Sequence, residues 1–134
     1  MISQTVRYAF RILGRLAGSR EELVRGEELA DATGIPANYL SKILNQLRKA
    51  GFVESQKGWG GGFRLREEAL QRPIRDVLAV FDGTESLERR DCAFGLPQCD
   101  ADNPCPLHED WERVRTAVRS MLDRTTVQDL AGTT

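Results

Sequence analysis

Residues 27–65 read EELADATGIPANYLSKILNQLRKAGFVESQKGWGGGFRL, and the architecture follows from their pattern. Glu27–Ala32 has the pattern of a short helix, which Thr33-Gly34-Ile35-Pro36 interrupts. Glycine supplies the left-handed backbone that a sharp interhelical turn demands, and proline suits the first turn of the next helix. That helix, Ala37–Ala50, gathers Leu40, Ile43, Leu44 and Leu47 on one side at three- and four-residue spacing. Asn38, Ser41, Lys42, Asn45 and Arg48 fall on the other side, and Gly51 ends the helix. Phe52–Lys57 and Phe63–Arg66 then read as two strands around Gly58-Trp59-Gly60-Gly61-Gly62. A helix pair with a tight turn followed by a glycine-rich hairpin predicts a winged helix-turn-helix, mostly α with a small β-wing.

The glycine run is a poor phosphate loop for a nucleotide, since a strand follows it rather than a helix and no Gly-Lys-Ser/Thr is present. In a helix-turn-helix the N-terminal part of the second helix meets base edges. Asn38, Tyr39, Ser41 and Lys42 are therefore the expected base-reading residues, with Arg48 and Lys49 nearer the backbone. On the wing, Lys57 and Arg64 are expected on phosphates, and Trp59 and Gly60 lie at the tip. Trp59 has the alternative role of covering its own hairpin.

Working upstream, Ser3 can cap a first helix whose apolar positions are Val6, Ala9, Phe10, Leu13, Leu16 and Ala17. Arg7, Arg11 and Arg15 recur every four residues along one face, which is either solvated or set against phosphates.

Composition agrees with this placement. The chain of 134 residues has the length of one domain with an extension, and its formal net charge of −1 hides an asymmetry. Residues 1–66 carry 11 Lys/Arg against 6 Asp/Glu, and residues 67–134 carry 8 against 14, so halves of +5 and −6 make up the total. The basic half is the footprint expected for a nucleic-acid binder. The acidic half must serve something else. No run approaches a membrane span, and arginines interrupt the N-terminal segment where a signal core would lie, so a cytoplasmic protein is expected.

Downstream, Cys92, Cys99 and Cys105 lie close to the chain's one histidine, His108. Thiolates gathered with an imidazole suit an iron–sulfur or zinc centre. The intervals of six and five residues between cysteines are wider than those of structural zinc hairpins. A metal-free thiol switch is a third possibility, which Asp91, Asp100 and Asp102 oppose by disfavouring thiolates. Catalysis has little support: there is no Cys-x-x-Cys, and the lone histidine has no evident nucleophile beside it. Asn103 and Pro104 are suited to open a helix, putting Cys105 and His108 three apart on its first turn. Further along, Trp111, Val114, Val118, Met121, Leu122 and Thr125 keep a coiled-coil-like spacing, with Glu109/Arg113 and Arg119/Asp123 as opposite charges four apart. A long amphipathic helix with little chain left to cover it predicts a homodimer across a two-fold axis.

Glu28-Leu29-Ala30, Gly34-Ile35-Pro36, Tyr39-Leu40, Leu47-Arg48-Lys49-Ala50-Gly51 and Gly60-Gly61-Gly62-Phe63 closely resemble the Rrf2 family of bacterial transcriptional regulators. The opening Met1–Thr5, Tyr8-Ala9 and the Pro73–Gly83 segment are similar too, so the likeness covers nearly the whole chain. It resembles most the IscR-like and NsrR-like members, which implies a homodimer that binds a palindromic operator in double-stranded DNA and carries an iron–sulfur cluster. The implied ligands are Cys92, Cys99 and Cys105. Cys105-Pro106-Leu107-His108 is similar to the Cys-x-x-His that implies a 2Fe–2S centre with His108 as fourth ligand. Some relatives instead complete a 4Fe–4S centre with a carboxylate from the partner's first helix; this chain has no Asp or Glu before Glu21, which favours His108. The first cysteine interval is one residue longer here than in the IscR type.

The expected organisation is a winged-helix DNA-binding domain over 1–83, a cluster-binding loop over 84–108, a dimerisation helix over 104–127 and a tail over 128–134. The expected function is a regulator, a repressor by preference, whose operator affinity depends on a cluster sensing iron, redox state or nitric oxide. The alternative is a cluster-free regulator responding to a small molecule or to thiol oxidation.

Overall fold

The computed structural model describes residues 2–82 and 102–132. Helix α1 (Gln4–Ala17) begins as its sequence predicts, with the Ser3 hydroxyl accepting from the Val6 N–H at 3.2 Å. Its buried side, Val6, Ala9, Ile12, Leu13 and Leu16, forms the floor on which the other elements pack.

Helices α2 (Gly26–Thr33) and α3 (Ala37–Lys49) meet at Gly34, whose φ of 73° lets its N–H close onto the Ala30 carbonyl at 2.9 Å. Ile35 in this turn is buried, so the connection is pinned to the core from below. At the far end of α3, Gly51 turns left-handed (φ 84°) and donates to the Arg48 carbonyl at 3.1 Å. Phe52 donates to the Leu47 carbonyl at 3.0 Å and buries its ring completely. This double closure is the usual solution for the unpaired carbonyls of a helix end, with an apolar residue sealing it.

Strands β1 (Val53–Gln56) and β2 (Gly62–Leu65) pair antiparallel, with Val53 opposite Leu65 and Gln56 opposite Gly62. Val24 adds a further rung, exchanging 2.8 Å backbone hydrogen bonds in both directions with Phe63. The wing is thereby rooted in the domain.

After a 3-10 turn at Glu67–Gln71, α4 (Ile74–Phe81) packs on α1, and α5 (His108–Arg124) packs on α4. The last helix begins at His108, four residues after the Pro104 start expected from the sequence. Two prolines, Pro104 and Pro106, favour extended or turn backbone at the residues before them, and the helix starts only beyond both. Leu122 joins Val6, Ile74 and Leu78 in a second buried cluster, with Val118 packed against it.

The apolar stripe expected to face one partner is thus divided. Val118 and Leu122 pack within the chain's own domain, whereas Val114 and Met121 are 45% and 38% exposed. The expected charge pairs also change: Arg113 pairs with Asp110, and Asp123 accepts from Arg75 of α4 at 3.1 Å. Beyond α5 the chain folds back. Val127 is fully buried, Ile74 donates to the Thr125 carbonyl at 2.8 Å, and a 3-10 turn at Gln128–Leu130 lies against α1.

Candidate nucleic-acid interface and cysteine segment

Burial on α3 sorts its side chains cleanly. Leu40, Ile43, Leu44 and Leu47 lie in the core, and Asn38, Tyr39, Ser41, Lys42, Asn45, Arg48 and Lys49 are all exposed. Asn38, Ser41, Lys42 and Asn45 are separated by three, one and three residues, so they share one face. The Arg48 Nη2 donates to Asn45 Oδ1 at 2.8 Å, which draws the guanidinium back over that face. Asn45, which is not among the base-reading residues expected from the sequence, therefore shares their face and holds Arg48 against it. Its signal was the i, i+3 spacing to Arg48.

The wing carries the other candidates. Lys57, Trp59 and Gly60 are exposed, and Trp59 covers nothing: its side chain is fully open to solvent. Arg64 lies on β2, where its Nε pairs across the strands with Glu54, its register partner. Opposite charges facing each other across an antiparallel pair attract, so a phosphate would have to compete with that carboxylate.

One residue ties this surface to the rest of the molecule. Arg72 stacks its guanidinium 3.8 Å from the centre of the Phe52 ring and donates from Nη1 to the Ala50 carbonyl at 3.0 Å. Its Nε donates to Asp76 of α4 at 3.2 Å, and its backbone carbonyl accepts from Val127 at 3.0 Å. The end of α3, the base of the wing, α4 and the segment following α5 thus converge on a single residue, the first three through its side chain and the last through its backbone carbonyl. In the sequence it is only a lone arginine before a proline, a pattern that carries no sign of this role.

In the cysteine segment, Cys92 and Cys99 lie outside the described residues. Cys105 and His108 are both half-buried, and the His108 N–H donates to the Cys105 carbonyl at 3.0 Å, so one turn holds them at the start of α5. A thiol and an imidazole from one turn fit two ligand positions of an iron–sulfur centre, the thiolate being the required soft donor. Among the described residues no group of three or more His, Cys, Asp or Glu side chains is placed to hold a metal ion, so a complete set would need donors from 83–101. No helix among the described residues is long and apolar enough to cross a membrane.

The model of the family Rrf2, described as an iron-dependent transcriptional regulator, matches residues 2–133. The chain belongs to the Rrf2 family. A relative in Aquifex aeolicus, named as a candidate HTH-type transcriptional regulator, is 37% identical over 132 residues, covering 97% of this chain and 90% of its own. The HTH-type transcriptional regulator IscR of Vibrio atlanticus is 33% identical over 103 residues, which are 77% of this chain and 58% of that protein. Among solved structures, CymR, the global cysteine regulator of B. subtilis, superposes with a TM-score of 0.77 at 30% identity, covering 100% of this chain and 98% of its own. As an Rrf2-family chain, the protein is a winged-helix regulator by kinship, and the relatives it matches are named as transcriptional regulators.

Proposed function

We propose that this Rrf2-family protein is a homodimeric transcriptional repressor that reads a palindromic operator with α3 and the wing. Its affinity would depend on an iron–sulfur centre held by Cys92, Cys99, Cys105 and His108, in 2Fe–2S form. The observation that carries the sensing half is the Cys105–His108 turn at the first residue of α5. The far end of that helix buries Leu122 against α1 and α4. Ligands at the start of α5 would be linked through its far end to α4, which itself packs on α3, so a local change at the cysteines could be passed on to the DNA-reading elements.

Base recognition falls to Asn38, Tyr39, Ser41 and Lys42, and Arg48, Lys49 and Lys57 supply phosphate contacts. The exposed Val114, Ala117 and Met121, at three- and four-residue spacing, form the stripe through which two copies associate. Two recognition helices then meet half-sites about one helical turn of DNA apart, or a multiple of it. When bound, the cluster would supply reactivity toward oxidants, nitric oxide or iron scarcity. The protein's part is to position its thiolates and imidazole and to transmit their rearrangement through α5. A change of about a hundredfold in affinity needs only roughly 2.7 kcal/mol of coupling.

Anoxically prepared holoprotein and apoprotein should differ at least tenfold in affinity for the same promoter fragment at matched salt. Equal affinities would remove the cluster from the mechanism. A second reading, a cluster-free regulator answering to a small molecule or to thiol oxidation, is supported by the full-length likeness to the cysteine regulator CymR. Anoxic protein that is colourless and free of iron and sulfide would favour it.

A further inference from the structure

The wing ends in a four-residue turn closed by the Gly61 N–H donating to the Gly58 carbonyl at 3.0 Å. Trp59 occupies its second position, and Gly60, at φ 74°, its third, where a left-handed residue is required in a type II turn. Every neighbour of the indole on this tip is a glycine: Gly58, Gly60, Gly61 and Gly62. The tip is therefore a slim backbone blade with one broad apolar ring at its end. It is also stiffly mounted. A Cβ on Gly61 would lie 2.1 Å from the Gln56 carbonyl oxygen, and one on Gly62 would lie 2.6 Å from that of Val24, so backbone strands are in close contact at its root.

An indole exposing 103% of its reference area is the most exposed large hydrophobic side chain described here. The turn itself does not ask for it, since proline or a polar residue would serve at that position. Its surroundings indicate a partner. Lys57 is exposed at the edge of the turn, Lys42, Arg48 and Lys49 are exposed on α3, and residues 1–66 carry a net +5. A cationic setting suits a polyanion, and a tip whose residues beside the indole are all glycines suits a narrow groove such as the minor groove of duplex DNA, about 6 Å across.

We propose that Trp59 is an apolar wedge that enters the minor groove beside the α3 site and partly unstacks one base step, kinking the duplex. Aromatic and aliphatic wedges of this kind bend DNA toward the major groove, and flexible pyrimidine–purine steps yield to them most easily. The wing would thus select its flank by deformability, at a position where no hydrogen bond reads a base. This inference rests on the DNA-binding reading of α3 and the wing and adds a specificity determinant to it.

The test begins with duplexes selected by the anoxically prepared wild-type protein from a randomised pool. Affinity at fixed salt and bend angle, from end-to-end energy transfer, are then measured for the wild type, Trp59→Ala and Trp59→Phe. Trp59→Ala should keep the wild-type unfolding midpoint, lose about tenfold in affinity for the selected duplex and bend it less, as expected for a lost base–aromatic contact. Random-duplex affinity should stay unchanged, and Trp59→Phe should recover part of both effects. Replacing the flanking pyrimidine–purine step by an A-tract should weaken the wild type but not Trp59→Ala. Wild-type affinity and bending by Trp59→Ala would overturn the wedge, as would equal losses on selected and random duplexes. If the wild type selects no duplex, it is the DNA-binding reading that fails, and the wedge falls with it.

Discussion

Lys42 stands on the face of α3 opposite Ile43 and Leu44, so its side chain can be removed without touching the core. Lys42→Ala should therefore weaken operator binding by about 1–3 kcal/mol and random-duplex binding by less. Gel shifts on both duplexes at one salt concentration decide this, and equal losses would make Lys42 a phosphate contact only. Gly61 shows the opposite sensitivity, because even a methyl group there meets backbone at 2.1 Å. Gly61→Ala should cost about 1–3 kcal/mol in chemical denaturation and distort the wing. At the proposed cluster site, Cys99→Ala should abolish the visible absorbance of anoxically prepared protein without changing its oligomeric state. His108→Ala should alter the spectrum or shorten the cluster's lifetime. Retained colour in the first variant would strike Cys99 from the ligand set, and an unchanged spectrum in the second would reassign the fourth position.

Helix α5 has one side packed on its own domain and another, with Val114 and Met121, left exposed. Its buried residue Leu122 completes the cluster with Val6, Ile74 and Leu78, so Leu122→Ala should destabilise the fold by about 2–5 kcal/mol. Arg72 is the other joint at this scale. With its ring stacking, its bond to the Ala50 carbonyl and its pairing to Asp76, Arg72→Ala should cost roughly 2 kcal/mol, and lysine should recover little of it. Denaturant titration measures the loss. A near-neutral Arg72→Ala would mean that α3 and α4 are held together by apolar packing alone.

Across the whole molecule, charge and shape divide the labour: the basic half carries the exposed face of α3 and the wing, and the acidic half carries α5 and the cysteines. Two-fold association through Val114, Ala117 and Met121 would leave the Leu122 cluster intact. A Val114→Asp/Met121→Asp variant should therefore remain folded yet sediment as a monomer, and lose operator affinity because one half-site alone is engaged. A dimer that survives both changes would place the two-fold contact on another face.

Much of this molecule could be read from the chain because its rules are local. Gly34 and Gly51 announce their turns through backbone freedom, Ser3 its cap through a hydroxyl three residues ahead of an amide, and α3 its two faces through the 3.6-residue period. The wing followed from glycines between two short apolar runs. What the sequence left open depends on residues brought together from afar. The pairing of Arg64 with Glu54, the division of the α5 stripe between Leu122 and Met121, the return of Val127 to the core and the convergence on Arg72 all join positions distant in sequence. A periodic pattern says that one side of a helix is apolar, not which surface will cover it; only packing of the whole chain makes that choice.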